Sequence, residues 1–535
     1  MRRRELLKTG LAAAAFAGPL AAPRLARADK ATTLTFVPTS DLAVLDPIVT
    51  FNRPTRNYAY LVFDTLYGLD TSWQAQPQMV DAHDIDDDGL TWNLRLRDGL
   101  RFHDNEPVLA RDVIASIRRF APRIAFATAL MAATDELSAP DDRTVKFRLK
   151  RPFPHLPAAL AGPGGTVPAI MPERLAATSP YQPVKEIIGS GPYRYLLDEH
   201  ISGARSAFAR FEQYRPRDGG GPAGQPGFTS GPKTAHFDRV EWLTLDAFSA
   251  QAALFRGEID WWESPPRDLF PQVARDPNVS AVSHYMPAMG ILRFNQLYPP
   301  FDNPAARRAL LSAIDQDEAM IALAGDDPAD RYDGVGVFPT GTPLANDAGI
   351  DVLKGPRDYA TAKKALAEAG YKGEPVVVIS PTDVGGISQL SRIGSEQMRR
   401  AGVNVDFQEM DFGTVIRRRT NQGPPDKGGW NVFFTLIDRS IPNTNPYGNQ
   451  GLRSDGKAAW DGWPTSTRIE ALRAQWLDAA DLDKQRQICS EMQRQLWVDL
   501  PFIPMGEYWQ TTAYRKELTG IIPGCFTVFW GVRRA

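Results

Sequence analysis

Cysteine is scarce in this chain: Cys489 and Cys525 are the only two in 535 residues. That excludes a scaffold held by many disulfides, and a chain of this length can instead bury large hydrophobic cores. Cys489 has helical spacing with Met492 and Leu496, so a position on the core face of a helix is favoured over pairing with Cys525.

The common signatures of catalysis are also missing. The six histidines are never three or four residues apart, which excludes the metalloprotease helix. No G-x-S-x-G, no phosphate-binding G-x-x-x-x-G-K-[ST] and no helix-opening G-x-G-x-x-G is present. Glu258 and Asp260 would lie on one face of a strand, whereas glycoside cleavage needs carboxyl groups on opposite sides of a bond. We therefore expect no enzyme, no cofactor and no metal site.

Residues 1–28 contain the three regions of an export signal in the right order. A basic region from Arg2 to Lys8 precedes an apolar stretch from Leu11 to Ala22, and Ala26-Arg27-Ala28 fits an A-x-A cleavage site. The basic region resembles a twin-arginine signal. No cysteine follows the predicted cleavage point, which argues against a lipid anchor. The sequence therefore predicts an exported, soluble protein of the periplasm.

Long apolar runs and blocks of like charge are absent after this segment. No run approaches the roughly 20 residues that a membrane span needs. Cleavage after Ala28 would remove six basic residues and one acid, and would change the formal charge from −2 to −7. Nucleic acid and anionic lipid are therefore poor electrostatic partners.

Strand-like and helix-like segments alternate along the chain, most clearly between residues 358 and 410. Asp358 can cap a helix that Gly370 ends, and Pro375 to Ile379 follows as a buried strand. A second helix from about Ser388 to Gly402 leads to a strand at Val403 to Phe407. This β-α-β pattern predicts an α/β fold.

Three other local signals predict a helix, an insertion and a hairpin. Asn303-Pro304 marks a helix start. Ser202 to Pro232 is rich in glycine and proline, and predicts a long surface insertion. Arg97-Asp98-Gly99 separates two alternating apolar segments, at Leu94 to Leu96 and at Leu100 to Phe102, and so predicts a hairpin between them.

The sequence resembles the extracytoplasmic solute-binding proteins of ABC transporters, family 5, the dipeptide- and oligopeptide-binding group. The similarity covers nearly the whole chain after the export signal. The matching segments, in order, are Phe63 to Tyr67, Asp87 to Trp92, Leu94 to Asp104, Ala110 to Val113, Gly189 to Tyr193, Leu254 to Asp260, Phe294-Asn295, Pro300 to Asp302, Arg307 to Leu310, Ala313 to Asp315, Ala365 to Tyr371 and Leu500 to Pro504.

This resemblance implies two α/β lobes joined by a pair of crossing hinge strands, with an extra N-terminal subdomain and a ligand between the lobes. It assigns residues 29–289 with 506–535 to lobe I and residues 290–505 to lobe II. It also implies a monomeric receptor that delivers a small-molecule or peptide ligand to membrane permease subunits and their ATPases.

The candidate ligand site follows the apolar strand that ends on Asp438. In peptide-binding members an aspartate after a Gly-Trp strand pairs with the amino group of the ligand, and Gly429-Trp430 with Asp438 looks like that arrangement. A turn-forming Asp438 beside Arg439 is the alternative. Amide and aromatic side chains of types that line small-molecule pockets follow, although each tryptophan could equally be core. The candidate residues are Trp430, Asp438, Asn443, Asn445, Tyr447, Trp460 and Trp463.

The favoured function is a periplasmic receptor for a peptide or another small polar solute. Within the same fold the alternative ligands are an oligosaccharide or an amine-bearing metabolite. An exported hydrolase, or a chaperone-like or sensory protein, is the alternative from another class.

Overall fold

The computed structural model describes residues 31–50, 52–86, 88–162, 166–219, 227–438, 444–524 and 527–535. The predicted export signal lies outside this range, as does Cys525. The strands are β1 Thr33–Val37, β2 Tyr67–Leu69, β3 Ala75–Pro77, β4 Val80–Ile85, β5 Thr91–Leu96, β6 Thr134–Ser138, β7 Thr144–Leu149, β8 Tyr193–Tyr195, β9 Arg205–Arg210, β10 Arg239–Leu243, β11 Trp261–Trp262, β12 Val279–Phe294, β13 Arg331–Tyr332, β14 Val376–Pro381, β15 Val405–Met410, β16 Val432–Asp438, β17 Phe502–Arg515, β18 Leu518–Thr519 and β19 Arg533–Arg534.

The α-helices of the described residues lie mostly between these strands, and short 3-10 turns link several of them. The helices are α1 Arg53–Val62, α2 Ala110–Phe120, α3 Ala125–Ala133, α4 Leu156–Ala161, α5 Glu173–Ala176, α6 Ala247–Arg256, α7 Phe270–Val273, α8 Pro304–Ala309, α9 Gln316–Ala324, α10 Tyr359–Glu368, α11 Gly385–Arg400, α12 Phe412–Arg419, α13 Thr467–Asp478 and α14 Leu482–Asp499. Within the described ranges, none of them is long and apolar enough to cross a membrane.

Among the described residues, the largest sheet has eleven strands. Ten strands follow the order β15-β14-β16-β12-β17-β11-β1-β10-β9-β8, and β13 pairs with β17 beside this path. β12 and β17 have 16 and 14 residues and pair antiparallel. One end of β17 pairs with β11, and the far end of β12 pairs with β16. These two long strands therefore connect the two halves of the sheet.

The β-α-β unit predicted near residues 358–410 is present. The Asp358 carboxylate accepts a hydrogen bond from the Thr361 amide at 2.8 Å and caps α10. α11 begins at Gly385, slightly earlier than predicted, and joins the parallel strands β14 and β15. The predicted start of α8 is confirmed as well, because the Asn303 side chain accepts from the Ala305 amide at 2.9 Å.

A second sheet lies in the N-terminal part of the chain. Its four strands are antiparallel in the order β4-β5-β7-β6. α2 packs on β7, and Val113 and Ile117 are buried in the same apolar cluster as Val145 and Phe147. The alternating apolar residues of these strands therefore form a separate small layer, as expected for a half-buried antiparallel sheet.

The prediction of a hairpin at Arg97-Asp98-Gly99 is wrong, because the segment after this turn does not pair with β5. Gly99 does make a turn, with a φ of 74°. β5 nevertheless pairs with β4 and β7, while the Val108 amide donates to the Leu100 carbonyl in a separate turn. Neither of the two strands that pair with β5 is therefore formed by Leu100 to Phe102.

The surface insertion predicted for Ser202 to Pro232 is wrong in its first part. β9 pairs with β10 and β8, and Phe208 in this strand is buried. The prediction fails here because glycine and proline become frequent only after the strand ends. Residues 220–226 lie outside the described part of the chain. After them, Thr229 returns to the core and its hydroxyl accepts from the Leu69 amide at 2.8 Å.

Two further sequence interpretations concern single side chains. Cys489 is a free, fully buried thiol in α14, as its helical spacing predicted. Glu258 and Asp260 do not lie on a strand, since β11 contains only Trp261–Trp262. Asp260 is buried and accepts from Arg534 Nη2 at 2.9 Å, so it serves as a structural ion-pair partner.

Candidate ligand-binding site

Three strands and one helix meet where the two halves of the large sheet join. Ala288 of β12 lies opposite Asp438 of β16 on one side and opposite Tyr508 of β17 on the other. The first turn of α11 lies beside them, because a Cβ added to Gly386 would be 3.5 Å from the Tyr508 hydroxyl and 3.0 Å from Leu436 Cδ1. The end of β16 therefore lies close to α11 and to both long strands.

Helix α1 reaches this region from the other half of the sheet. Asn57 Nδ2 donates to Glu263 Oε1 at 2.6 Å, and the Thr527 hydroxyl donates to the same oxygen at 2.7 Å. The Tyr285 hydroxyl of β12 in turn donates to Thr527 at 3.3 Å. Glu263 is completely buried, so this network fixes one face of α1 against β12.

Arg53 is the first residue of α1 and lies one turn before Asn57, on the same helix face. Among the described residues, its guanidinium has no hydrogen-bond or ion-pair partner, and its side chain is partly buried. Burial raises the pKa of both Tyr285 and Tyr508, and the positive charge of Arg53 offsets part of this rise for each hydroxyl. Arg53 therefore lies on the face of α1 that the Glu263 network holds near β12.

A second arginine near Tyr508 is already paired. Arg267 Nη1 lies 2.8 Å from Asp330 Oδ2, and the same carboxylate lies 3.1 Å from His284 Nε2. Arg267 also offsets part of the rise that burial causes in the pKa of Tyr508. Of these two arginines, Arg267 is the one with an ion-pair partner among the described residues.

The N-terminal part of the chain makes a second contact with the C-terminal half. The rings of His155 and Trp476 are stacked, with centroids 4.3 Å apart, and His155 Nε2 lies 3.2 Å from the Trp476 carbonyl oxygen. Arg151 forms an ion pair with Asp478 at the end of α13. Phe126 packs near Tyr447, with ring centroids 6.3 Å apart.

A family model for bacterial extracellular solute-binding proteins, family 5 middle, matches residues 74–459. The chain belongs to this family. It is 36% identical to a probable peptide ABC transporter periplasmic-binding protein of Sinorhizobium fredii, over 100% of this chain and 99% of the relative. It is 26% identical to the glutathione-binding protein GsiB of Pectobacterium atrosepticum, over 97% of this chain and 96% of the relative.

Solved structures with low sequence identity share the fold of this solute-binding protein. A dipeptide-binding protein from Pseudoalteromonas in complex with Met-Leu gives a TM-score of 0.76 at 18% identity, over 94% of this chain and 100% of that chain. DppA from Helicobacter pylori in complex with the peptide STSA gives 0.77 at 18% identity, over 94% and 98%. The predicted α/β, two-lobe periplasmic-binding-protein fold is confirmed.

Three predicted site residues of this solute-binding protein are tryptophans of one aromatic cluster. Trp430 is completely buried, and its indole N–H donates to the Arg419 carbonyl at 2.9 Å. Trp463 is buried beside it, and Trp460 is partly buried against Phe433. These contacts favour the core-packing interpretation for Trp430 and Trp463.

Trp460 also faces two arginines. The guanidinium carbons of Arg293 and Arg419 each lie 5.1 Å from its ring centroid, and the Trp460 carbonyl accepts from Arg293 at 3.1 Å. Arg419 is held in turn by Asp461 at 2.6 Å. The ring of Trp460 thus already contacts two cations of the protein itself.

Asn445 and Tyr447 lie close together in the segment before α13. The Asn445 side-chain oxygen accepts from the amides of Tyr447 and Gly448 at 3.1 and 2.8 Å, so it stabilises a turn. The ring of Tyr447 lies 4.8 Å from the Arg473 guanidinium. The side chain of Asp438 and the whole of Asn443 lie outside the part of the chain that the structure describes, so their roles stay predictions.

The sequence interpretation missed Arg53, Tyr285 and Tyr508. Asn52-Arg53-Pro54 carries the same helix-start signal as Asn303-Pro304, since a proline occupies the first turn. That signal places Arg53 at the beginning of a helix. It cannot show that the helix begins beside strands from residues 285 and 508.

Proposed function

We propose that this protein is the substrate-binding receptor of an ABC importer, and that it binds a peptide or another small polar solute between two lobes. The observation that carries the proposal is the pairing of the long strands β12 and β17, which connects the two halves of the sheet, in a chain of the family 5 solute-binding proteins. The peptide and glutathione relatives support a ligand with amide and charged groups.

The proposed lobes meet at the two long strands. Lobe I comprises residues 29–289 with 506–535, and lobe II comprises residues 290–505. Both boundaries fall inside β12 and β17, which supports a hinge there because the pair is the covalent link between the halves. The contact of His155 with Trp476 then lies between the lobes, away from the hinge.

Export completes the proposal. The N-terminal 28 residues act as a twin-arginine-type signal, and the mature chain begins at Asp29 as a soluble monomer in the periplasm. Its partners are the permease subunits and ATPases of the importer, which recognise the closed receptor. N-terminal sequencing of the periplasmic protein should start at Asp29, whereas a full-length or lipidated chain would contradict the export step.

Within the site, we propose that Asp438 pairs with a cationic group of the solute. The backbone position of Asp438 at the end of β16, opposite Ala288 of β12, supports this assignment. Tyr447, Trp460 and the amides of Asn443 and Asn445 would then line the neighbouring surface. Trp430 and Trp463 would act indirectly, by supporting β16 from its buried face.

The decisive test is to identify the compound that the protein retains during native purification. Protein secreted to the periplasm is purified without denaturation, and small molecules released by denaturation are identified by mass spectrometry. The proposal expects a stoichiometric peptide or other small polar solute that rebinds to stripped protein. Absence of any retained or rebinding solute, together with hydrolysis of candidate peptides by the purified protein, would favour the exported hydrolase instead.

A further inference from the structure

One contact between the proposed lobes lies outside the hinge strands. It joins the segment between β7 and α4 to the last turn of α13. The rings of His155 and Trp476 stack with centroids 4.3 Å apart and an interplanar angle of 6°, and His155 Nε2 lies 3.2 Å from the Trp476 carbonyl oxygen. Arg151 forms an ion pair with Asp478, the last residue of the same helix. These four residues are called the clasp below, and none of them belongs to β12 or β17.

The clasp can exist only while the proposed lobes are closed. A rotation about β12 and β17 would keep the pairing of these strands but would move α13, in lobe II, relative to α4, in lobe I. Opening would therefore break the ring stack, the hydrogen bond and the ion pair together. Because aromatic stacking and buried hydrogen bonds stabilise the state that contains them, the clasp favours the closed form.

Two features limit how strongly the clasp favours closure. Trp476 is 3% exposed, and its indole N–H has no hydrogen-bond partner among the described residues. A buried donor without an acceptor costs free energy, which water would recover when the lobes open. The side chains of Arg151 and Asp478 are 47% and 64% exposed, so solvent weakens their attraction. The clasp therefore adds to closure and leaves opening possible.

Helix α13 also connects the clasp to the candidate site. Arg473 lies one turn before Trp476 on the same face of this helix. Its guanidinium donates to the carbonyls of Pro446 and Tyr447, both at 3.0 Å. From lobe I, the ring of Phe126 in α3 lies 5.8 Å from that of Trp476 and 6.3 Å from that of Tyr447. Docking of α13 on lobe I therefore brings the segment after β16 against α3.

We propose that the clasp raises the solute affinity of the receptor by stabilising its closed form, without contact between His155 and the solute. This inference rests on the proposed function and adds residues that determine affinity from outside the solute site. When the binding form of a receptor is only partly populated, its apparent affinity is reduced by that fraction. Loss of the clasp should therefore weaken the binding of every solute by the same factor. A residue that touched the solute would weaken some solutes more than others.

The test uses mature protein stripped of retained compounds, with an equimolar library of unmodified di- and tripeptides as the probe. Peptides that stay bound through gel filtration are identified by mass spectrometry, and the Kd of each is measured by calorimetry. His155→Ala removes the ring stack and the hydrogen bond, and should weaken all retained peptides by a common factor of about 5- to 30-fold. Unchanged affinities would overturn the proposal. So would losses that differ between peptides, because they would place His155 in the solute site.

His103 supplies the matched control, because its contacts stay within lobe I. Its ring lies 4.9 Å from that of Phe211, and its Nε2 lies 3.0 Å from the Gly191 carbonyl oxygen. His103→Ala therefore loses a ring contact and a carbonyl contact of the same kinds as His155→Ala does. It should lower the melting temperature but leave peptide affinities at their wild-type values. An equal loss of affinity in both variants would assign the effect of His155→Ala to general stability and would overturn the proposal.

A charge swap tests the clasp at two exposed positions, where folding does not depend on the side chain. Arg151→Glu places two carboxylates opposite each other across the lobes, and should weaken all retained peptides about 3- to 10-fold. The double variant Arg151→Glu with Asp478→Lys restores an ion pair of reversed polarity, and should return each Kd to within about 2-fold of wild type. Absence of this rescue, or no loss in the single variant, would overturn the proposal even if His155→Ala does not fold.

Distances between spin labels measure closure without any solute. Asp135 in β6 and Lys484 in α14 are exposed residues of the two proposed lobes, and each is replaced by cysteine and labelled. Cys489 is buried away from the reagent, and Cys525 is replaced by serine. Stripped His155→Ala should show a smaller closed population than stripped wild type in double electron–electron resonance. If wild-type protein retains no peptide, the proposed peptide solute fails, and this measurement alone decides on the clasp. Equal closed populations in the two proteins would overturn it.

Discussion

At the scale of single residues, Lys233 and Asp64 form an ion pair that is withdrawn from water. Lys233 Nζ lies 2.8 Å from Asp64 Oδ1, and both side chains are completely buried. Gln78 and Tyr214 donate to the other Asp64 oxygen at 3.2 and 3.0 Å. Burial, the largest single influence, would raise the pKa of Asp64, but the charge and hydrogen bond of Lys233, helped by Arg97 and Gln78, together hold the pKa below its usual range.

Replacement of Lys233 by methionine should therefore be strongly destabilising. The change leaves a buried carboxylate without its ion-pair partner, which typically costs about 3–5 kcal/mol in the free energy of unfolding. Urea denaturation at neutral pH measures the loss. The double variant Lys233→Met with Asp64→Asn should recover part of it, because no buried charge is left. A loss below about 1 kcal/mol in the single variant would contradict this account.

Asp438 carries the second prediction at this scale. If Asp438 balances a cation of the solute, Asp438→Asn should weaken binding about 10- to 100-fold, since the shape is kept and the charge is lost. Stability without solute should hold or rise, because an unpaired carboxylate is relieved. Calorimetry and thermal melting measure the two effects, with exposed Asp426→Asn as the matched control. A loss of stability with unchanged affinity would instead assign Asp438 to a local turn.

At the scale of elements, local sequence signals predicted helices and their caps, whereas the strand order of the sheets depends on pairing between segments far apart in the chain. Asp358 and Asn303 were identifiable because a cap bonds amides two or three residues away. The neighbours of β5 and the place of β9 depend on segments far along the chain. Arg53 was missed for the same reason, since Tyr285 and Tyr508 are more than 230 residues away. Trp430 and Trp463 were assigned by residue type, which does not distinguish a pocket wall from a core.

The contact of His155 with α13 predicts a dependence on pH. Burial against Trp476 lowers the pKa of His155, although the Trp476 carbonyl and Asp478 oppose the shift. The contact therefore contributes stability at neutral pH and loses it as the pH falls below about 6.5, where the separated histidine gains a proton. Solute-bound protein should expand in X-ray scattering between pH 7 and pH 5.

The variant His155→Phe isolates this effect. Phenylalanine keeps a flat ring against Trp476 but cannot take up a proton, so the expansion between pH 7 and pH 5 should be reduced. Comparison with wild type is needed because burial also lowers the pKa of His103, to about 4, and this group titrates in both proteins. Equal expansion of both proteins would show that the His155 contact does not control the distance between the lobes.

At the scale of the whole molecule, the two long strands and the His155 contact lie at different places between the proposed lobes. Opening about β12 and β17 would leave both lobes intact, because each keeps its own strands and apolar cluster. The interface that opening would break includes the ion pair of Arg151 with Asp478 and the stacking of His155 on Trp476. Such an interface resembles those between domains that move relative to one another.

Closure on binding should therefore be measurable as compaction. Stripped protein should show a larger radius of gyration in small-angle X-ray scattering than protein saturated with the solute identified by mass spectrometry, because a bound solute favours the closed form. An unchanged radius at saturation of wild-type protein, with binding verified by calorimetry, would contradict hinge closure and leave a receptor that is already closed.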